Sequence, residues 1–185
     1  MTVRTTRRTV GTLAAAAVTG TLLAPATQAS AAPSHSSKTV RHDITFIAML
    51  LPHHEQAVRI ASVAAERATK ADVRRLAAHI AEEQSHQIRQ MRAWLQRRDA
   101  RPMPPPEPVQ EMNRQDLRML RDARGAEVDR MFLMMMRPHH AQGVSESEDE
   151  LMHGRDPFAL GLARTSKRDQ SREIAAMNDM LAALG

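Results

Sequence analysis

The chain has 185 residues, 42% of them apolar and 25% charged, with ten prolines and seven glycines, which fits one compact domain or two small halves and excludes a disordered or collagen-like chain. The absence of cysteine excludes a disulfide framework, thiolate metal sites and a cysteine nucleophile. The formal charge of +5 falls to +2 without Arg4, Arg7 and Arg8, and Phe46, Trp94, Phe132 and Phe158 are the only aromatics, so neither a basic footprint nor a base-stacking platform for nucleic acid is present.

Residues 1–31 read as a secretory signal. Arg4, Arg7 and Arg8 form a charged start, an apolar stretch runs from Val10 to about Ala24, and Ala29-Ser30-Ala31 supplies a small-residue exit. The pair Arg7-Arg8 suits twin-arginine export as well as the Sec route, so the mature chain is expected to be secreted or otherwise extracytoplasmic. The apolar stretch is short for a membrane span, and no other stretch goes uncharged for long enough. Residues 32–41, rich in Ala, Ser, Pro and Thr, read as a flexible leader.

From residue 42 the pattern turns helical. Residues 42–68 and 71–98 carry apolar residues at helical spacing among good helix formers. The segment Arg101-Pro-Met-Pro-Pro-Pro-Glu-Pro108 makes a stiff extended linker, because consecutive prolines cannot continue a helix. A short helix follows over 109–122, ending near Gly125, and two long helices are expected over 126–152 and 156–183.

The mature chain is one unit written twice. A single gapless shift of 86 residues aligns Asp43 with Asp129, Phe46 with Phe132, Met49 with Met135, Pro52 with Pro138, His53-His54 with His139-His140 and Gln56 with Gln142. It also aligns Gln84 with Gln170, Ile88 with Ile174, Met91 with Met177 and Leu95 with Leu181. Repeat 1 covers 42–98 and repeat 2 covers 126–184. A hairpin of this size cannot bury its own apolar face, so two of them are expected to pack as a four-helix bundle over 42–184.

At about 100° per residue, Asp43, Ile47, Leu50, His54, Ala57 and Ala61 share the apolar stripe of the first helix, with Met49 and His53 on its flank one turn apart. The repeat puts Asp129, Leu133, Met136 and His140 on one stripe, flanked by Met135 and His139. Gln84 and Gln87 fall on the apolar face of the second helix, and Gln170 and Glu173 on that of the last. Pro52 and Pro138 each remove a backbone bond and are expected to kink the helix just before its His pair.

Polar groups buried without partners cost roughly 1–3 kcal/mol each. They must satisfy one another as a layer that fixes helix register, or hold a ligand. The duplicated His-His with a Met one turn away favours a metal. Imidazole suits copper, zinc, nickel and iron, and a thioether selects a soft ion, above all Cu(I). The candidate ligands are His53, His54, His139, His140, Met49 and Met135, with Asp43, Asp129 and Glu173 as possible carboxylate donors. The other methionines read mostly as core filler. His35, His42, His79, His86 and His153 lack repeat partners and read as surface residues, with His42 and His86 as outlying ligand candidates. Because imidazole binds metal in its neutral form, affinity is expected to fall as pH drops through about 6.5.

The segments Asp43-x-x-Phe46-x-x-Met49-x-x-Pro52-His53-His54-x-Gln56-Ala57 and Asp129-x-x-Phe132-x-x-Met135-x-x-x-His139-His140-x-Gln142-Gly143 resemble the family known as domain of unknown function 305. The downstream pair, Gln84-x-x-Gln87-Ile88-x-x-Met91-x-x-Trp94-Leu95 and Gln170-x-x-Glu173-Ile174-x-x-Met177, resembles it too. The resemblance implies an exported, ferritin-like four-helix bundle, with copper binding and copper tolerance associated with some members. Two departures stand out. Gln87 occupies a place where the family usually has Glu, and Ser145-Glu146-Ser147-Glu148-Asp149-Glu150 is unusually acidic, either as a solvated face or as an attraction for cations.

The leading expectation is a copper-sequestering or copper-carrying protein whose partner is the metal ion, Cu(I) or Cu(II). A metal-free structural or interaction bundle of the cell envelope is the alternative. A ferritin-like di-metal oxidase comes third. No Gly-x-Ser-x-Gly and no His-Glu-x-x-His occurs, and no residue is assigned a catalytic role. The oligomeric state stays open, a homodimer included.

Overall fold

The computed structural model describes residues 34–184; the signal expected over 1–31 lies outside them. The described residues are all-helical, with five helices: α1 (Ser34–Arg67), α2 (Ala71–Gln96), α3 (Glu107–Asp122), α4 (Ala126–His153) and α5 (Pro157–Ala183). None is long and apolar enough to cross a membrane. Helix α1 starts at Ser34, ahead of residue 42, and so takes in most of the segment read as a leader. Both α1 and α4 run on through Pro52 and Pro138 as single helices.

The long helices pair as α1 with α2 and α4 with α5. Helix α1 also packs on α4, and α3 rests against both. Local chemistry sets the ends. Asp156 caps α5, accepting from the backbone N–H groups of Phe158 (2.9 Å) and Ala159 (3.1 Å). Gly125 precedes α4 at φ +57°, a left-handed conformation that glycine adopts without steric penalty.

The helix wheel holds. Asp43, Ile47, Leu50, His54, Ala57 and Ala61 are all buried, as are Asp129, Leu133, Met136 and His140. Two apolar cores form. One gathers Ala57, Ile60, Ala61 and Ala64 of α1, Val73, Ala77 and Ile80 of α2, and Val128, Phe132, Leu133 and Met136 of α4, with Leu120 of α3. The other gathers Phe46, Ile47, Leu50 and Leu51 of α1, Ile88, Met91, Trp94 and Leu95 of α2, and Ala159, Leu162 and Ala163 of α5. His53 and His54 on α1, and Gln84 and Gln87 on α2, fall between these two sets along their helices. A polar layer therefore divides two greasy ends.

Asp43 and Asp129 have structural work at those ends. Asp43 Oδ1 accepts from the N–H groups of Arg155 (2.8 Å) and Asp156 (3.0 Å) in the α4–α5 connection. Asp129 accepts from Lys70 N–H (2.9 Å), Thr69 N–H (3.1 Å) and the Thr69 hydroxyl in the α1–α2 connection. Each repeat thus anchors the other's loop.

Candidate metal centre

The His pairs meet in the middle of the polar layer. The rings of His53 and His139 stack, with centroids 3.7 Å apart and planes inclined by 27°. His53 Nε2–H donates to the backbone carbonyl of His139 at 3.1 Å. One residue on and deeper in the layer, His54 Nε2–H donates to Gln87 Oε1 at 2.6 Å, and His140 Nε2 lies 2.8 Å from Glu173 Oε2. His54 and His140 are fully buried, whereas His53 retains 9% exposure and His139 is intermediate. That is the order the wheel predicts.

These contacts fix which ring nitrogens are spoken for. With Nε2–H of His53 and His54 given to oxygen acceptors, the Nδ1 atom of each is buried with no hydrogen-bond partner, and both ring nitrogens of His140 lack one too, although its Nε2 lies close to Glu173. Both ring nitrogens of His139 are in the same condition. Burial holds the imidazoles of His53, His54 and His139 neutral. The pKa of His53 is lowered to about 4, first by desolvation and then by His140. That of His54 is lowered to about 3, by desolvation and then by His53. His139 is held well below the usual range, by burial and then by His53 and His140. The expected loss of affinity near pH 6.5 is therefore displaced to more acid conditions.

His53 and His139 also form part of the wall of a cleft of about 650 Å³ between α1, α4 and the segment that joins the repeats. Five methionines line it: Met49, Met103, Met112, Met134 and Met135. Met49, Met103, Met112 and Met134 are all more than 40% exposed, which corrects the expectation that the unassigned methionines are mostly core filler. Only Met91, Met136 and Met177 are buried core methionines among the described residues. The local cause is Pro52. With no N–H, it leaves the carbonyl of Ala48 without its helical partner, and Met103 N–H takes that carbonyl at 2.7 Å. The proline-rich segment is thereby pinned beside the His pair. Asn113 Nδ2 donates to Gln56 Oε1 at 3.0 Å and holds α3 on the same side.

The structure thus gathers Met49, Met135, His53 and His139 at one cleft and sets His54, His140 and Glu173 directly behind them. It does not bring Asp43 or Asp129 there. Each is ten residues from the His pair of its own helix, about 15 Å along the axis. Gly143 permits the close packing, since a Cβ there would fall inside contact distance of Gln170 Oε1 and 3.1 Å from His53 Cε1.

The di-metal spacing Glu-x-x-His does occur, as Glu83-x-x-His86 on α2 and Glu150-x-x-His153 on α4. His86 is exposed and faces Arg89. Neither pair lies in the polar layer, so no carboxylate-bridged di-metal centre forms there.

Known proteins agree with this architecture. The family signature "Domain of unknown function (DUF305)" matches residues 43–181. A DUF305 protein from Streptomyces coelicolor, described as a candidate secreted protein, superposes with a TM-score of 0.70 at 28% identity, over 78% of this chain and 94% of that one. A DUF305 fragment from Deinococcus radiodurans gives 0.68 at 30% identity, over 77% and 96%. CopM in its Cu(II)-bound form gives 0.68 at 29% identity, over 77% and 97%, and its Cu(I)-bound form gives 0.66 at 27%, over 76% and 96%. Among curated proteins none matches. The chain belongs to the DUF305 family.

Proposed function

We propose that this protein binds copper outside the cytoplasm, sequestering or carrying it, with Cu(I) held in the methionine-lined cleft by His53 and His139. The observation that carries the reading is the set of neutral, buried imidazoles whose free ring nitrogens have no protein partner, beside five thioethers. Metal-ligating histidines typically give one ring N–H to a carbonyl or carboxylate and keep the other nitrogen for the ion. His53 does this through the His139 carbonyl. A soft donor set without cysteine favours Cu(I) over divalent ions. CopM, a relative of similar fold, is known in Cu(I)- and Cu(II)-bound forms.

In this reading His54 and His140, anchored on Gln87 and Glu173, position the outer pair, and the four long helices form a duplicated, ferritin-like four-helix bundle. Export by a Sec or twin-arginine signal in residues 1–31 completes it. The test is a chelator-competed titration of Cu(I) and Cu(II) into the wild type, Met49→Leu/Met135→Leu and His53→Ala/His139→Ala. Cu(I) affinity should fall at least tenfold in both variants, while the Met variant keeps its Cu(II) binding and thermal midpoint. A wild type that takes up no copper would show that the polar layer serves helix register alone.

A further inference from the structure

A second group of side chains able to bind metal lies away from the cleft, where α1 around His42 meets the end of α4. His42, Asp149 and His153 each offer a ligand atom, all within 4.8 Å of one another. His42 Nε2 is 3.6 Å from Asp149 Oδ2, and His153 Nδ1 is 3.0 Å from Asp149 Oδ1. Tetrahedral coordination at bond lengths of about 2.0–2.2 Å sets donors roughly 3.4 Å apart, so small rotations would close the set. Along α1, His42 stands about 16 Å from His53.

Beneath this group is Glu150. It is fully buried, neither carboxylate oxygen has a hydrogen-bond partner, and Oε2 points at His42 Nε2 from 3.2 Å. Among the described residues, neither Asp149 nor Glu150 is paired with a lysine or arginine; the charged groups around them are the two histidines and, against Glu150, the carboxylates of Asp43 and Asp156. The other end of the molecule shows that the fold has no need of such groups. At the positions related by the 86-residue shift, Glu150 corresponds to Ala64, Asp149 to Val63 and His42 to Val128. Ala64 and Val128 are buried in the apolar core. A buried carboxyl set against a second carboxylate, in place of a core alanine, is destabilising unless a proton or a cation satisfies it.

We propose that His42, Asp149 and His153, backed by Glu150, form a second metal site selective for a divalent cation of the Zn(II) or Cu(II) class. Two imidazoles and carboxylate oxygen suit such borderline ions, and the three outer residues offer no thioether to favour Cu(I). Access is open. Asp149 and His153 are exposed, and an adjoining pocket of about 360 Å³ is lined by His42, Met49, Glu146 and Asp149. The proposal is independent of the copper reading of the cleft.

The probe is Zn(II) alone, titrated against a chromophoric chelator into the full chain and into three variants. Wild type and His53→Ala/His139→Ala should each bind one equivalent that His42→Ala/His153→Ala loses. Asp149→Asn, a change at an exposed side chain, should weaken that equivalent by at least about tenfold with an unaltered helical circular dichroism spectrum. Cu(I) uptake should be the same in His42→Ala/His153→Ala as in wild type. Zn(II) binding unchanged in both His42→Ala/His153→Ala and Asp149→Asn overturns the proposal, as does loss of the Zn(II) equivalent only on mutating His53 and His139.

Discussion

His53 and His139 occupy equivalent places in the two repeats, and their rings lie against each other at 3.7 Å between centroids. Two imidazolium ions could not hold that arrangement in a desolvated layer. The stack therefore exists only while both rings are neutral, which ties the centre to pH.

His53 titrates near 4 and His54 near 3 in the folded chain, and His139 well below its usual value, whereas each takes up a proton near 6.5 when unfolded. Between about pH 6.5 and 4 the unfolded chain holds more protons than the folded one. Stability of the metal-free protein should thus be complete above pH 6.5 and decline as pH falls through this window, by up to about 1.4 kcal/mol per pH unit for each histidine. Urea midpoints recorded from pH 7.5 to 4.5 check this. Cu(I) affinity, by contrast, should stay level down to about pH 5.

Met103 and Met112 come from the segment between the repeats and have no counterparts within them, yet they line the same cleft as Met49 and Met135. Replacing both with Leu should weaken Cu(I) binding by about tenfold, or 1.4 kcal/mol. Because both side chains are more than half exposed, the melting temperature should barely move. Equal Cu(I) affinity in variant and wild type would restrict the site to the repeat methionines.

Asp129 is a structural anchor. Burial pushes its carboxyl pKa up, but the Thr69 hydroxyl and the N–H groups of Lys70 and Thr69 outweigh this and hold it below its ordinary value. Asp129→Ala leaves those donors unpaired and should destabilise the protein by about 3 kcal/mol. Asp43→Ala removes two such bonds and should cost about 2 kcal/mol. Copper stoichiometry should be unchanged in both, and a lost equivalent would make either aspartate a ligand after all.

Gly143 touches the centre from behind. Gly143→Val would press on Gln170 and the His53 ring, with overpacking of about 1–3 kcal/mol. The Cu(I) affinity should fall together with the thermal midpoint. The Ala57 position of repeat 1 already carries a side chain, so Ala57→Gly should leave Cu(I) binding intact.

Periodicity and the internal repeat were enough to anticipate the helices, the inward stripes and the deeper burial of His54 and His140. These depend on neighbours three or four residues apart, which a wheel can represent. What stayed hidden depends on contacts far apart in the chain. Met103 reaches the cleft through a carbonyl that Pro52 sets free on another element. Asp43 meets its partners more than a hundred residues away, so it resembled a ligand on the core stripe. Glu150 reads as part of an acidic solvated run until the packing shows it buried while Asp149 beside it is exposed.

The exchange of loop anchors between Asp43 and Asp129 has the form of a self-complementary contact between identical subunits, in which residue i of one meets residue j of the other and the reverse. Here both subunits belong to one polypeptide, tethered by residues 97–125. Cut within that tether, neither fragment could close its own connection, because the carboxylate that does so sits on its sibling. The two fragments would have to find each other to fold, as obligate complementing halves. Such reciprocity is what a free-standing hairpin pairing with its own copy would bequeath to a fused descendant, and the tether, released from keeping symmetry, is where this chain has placed Met103 and Met112.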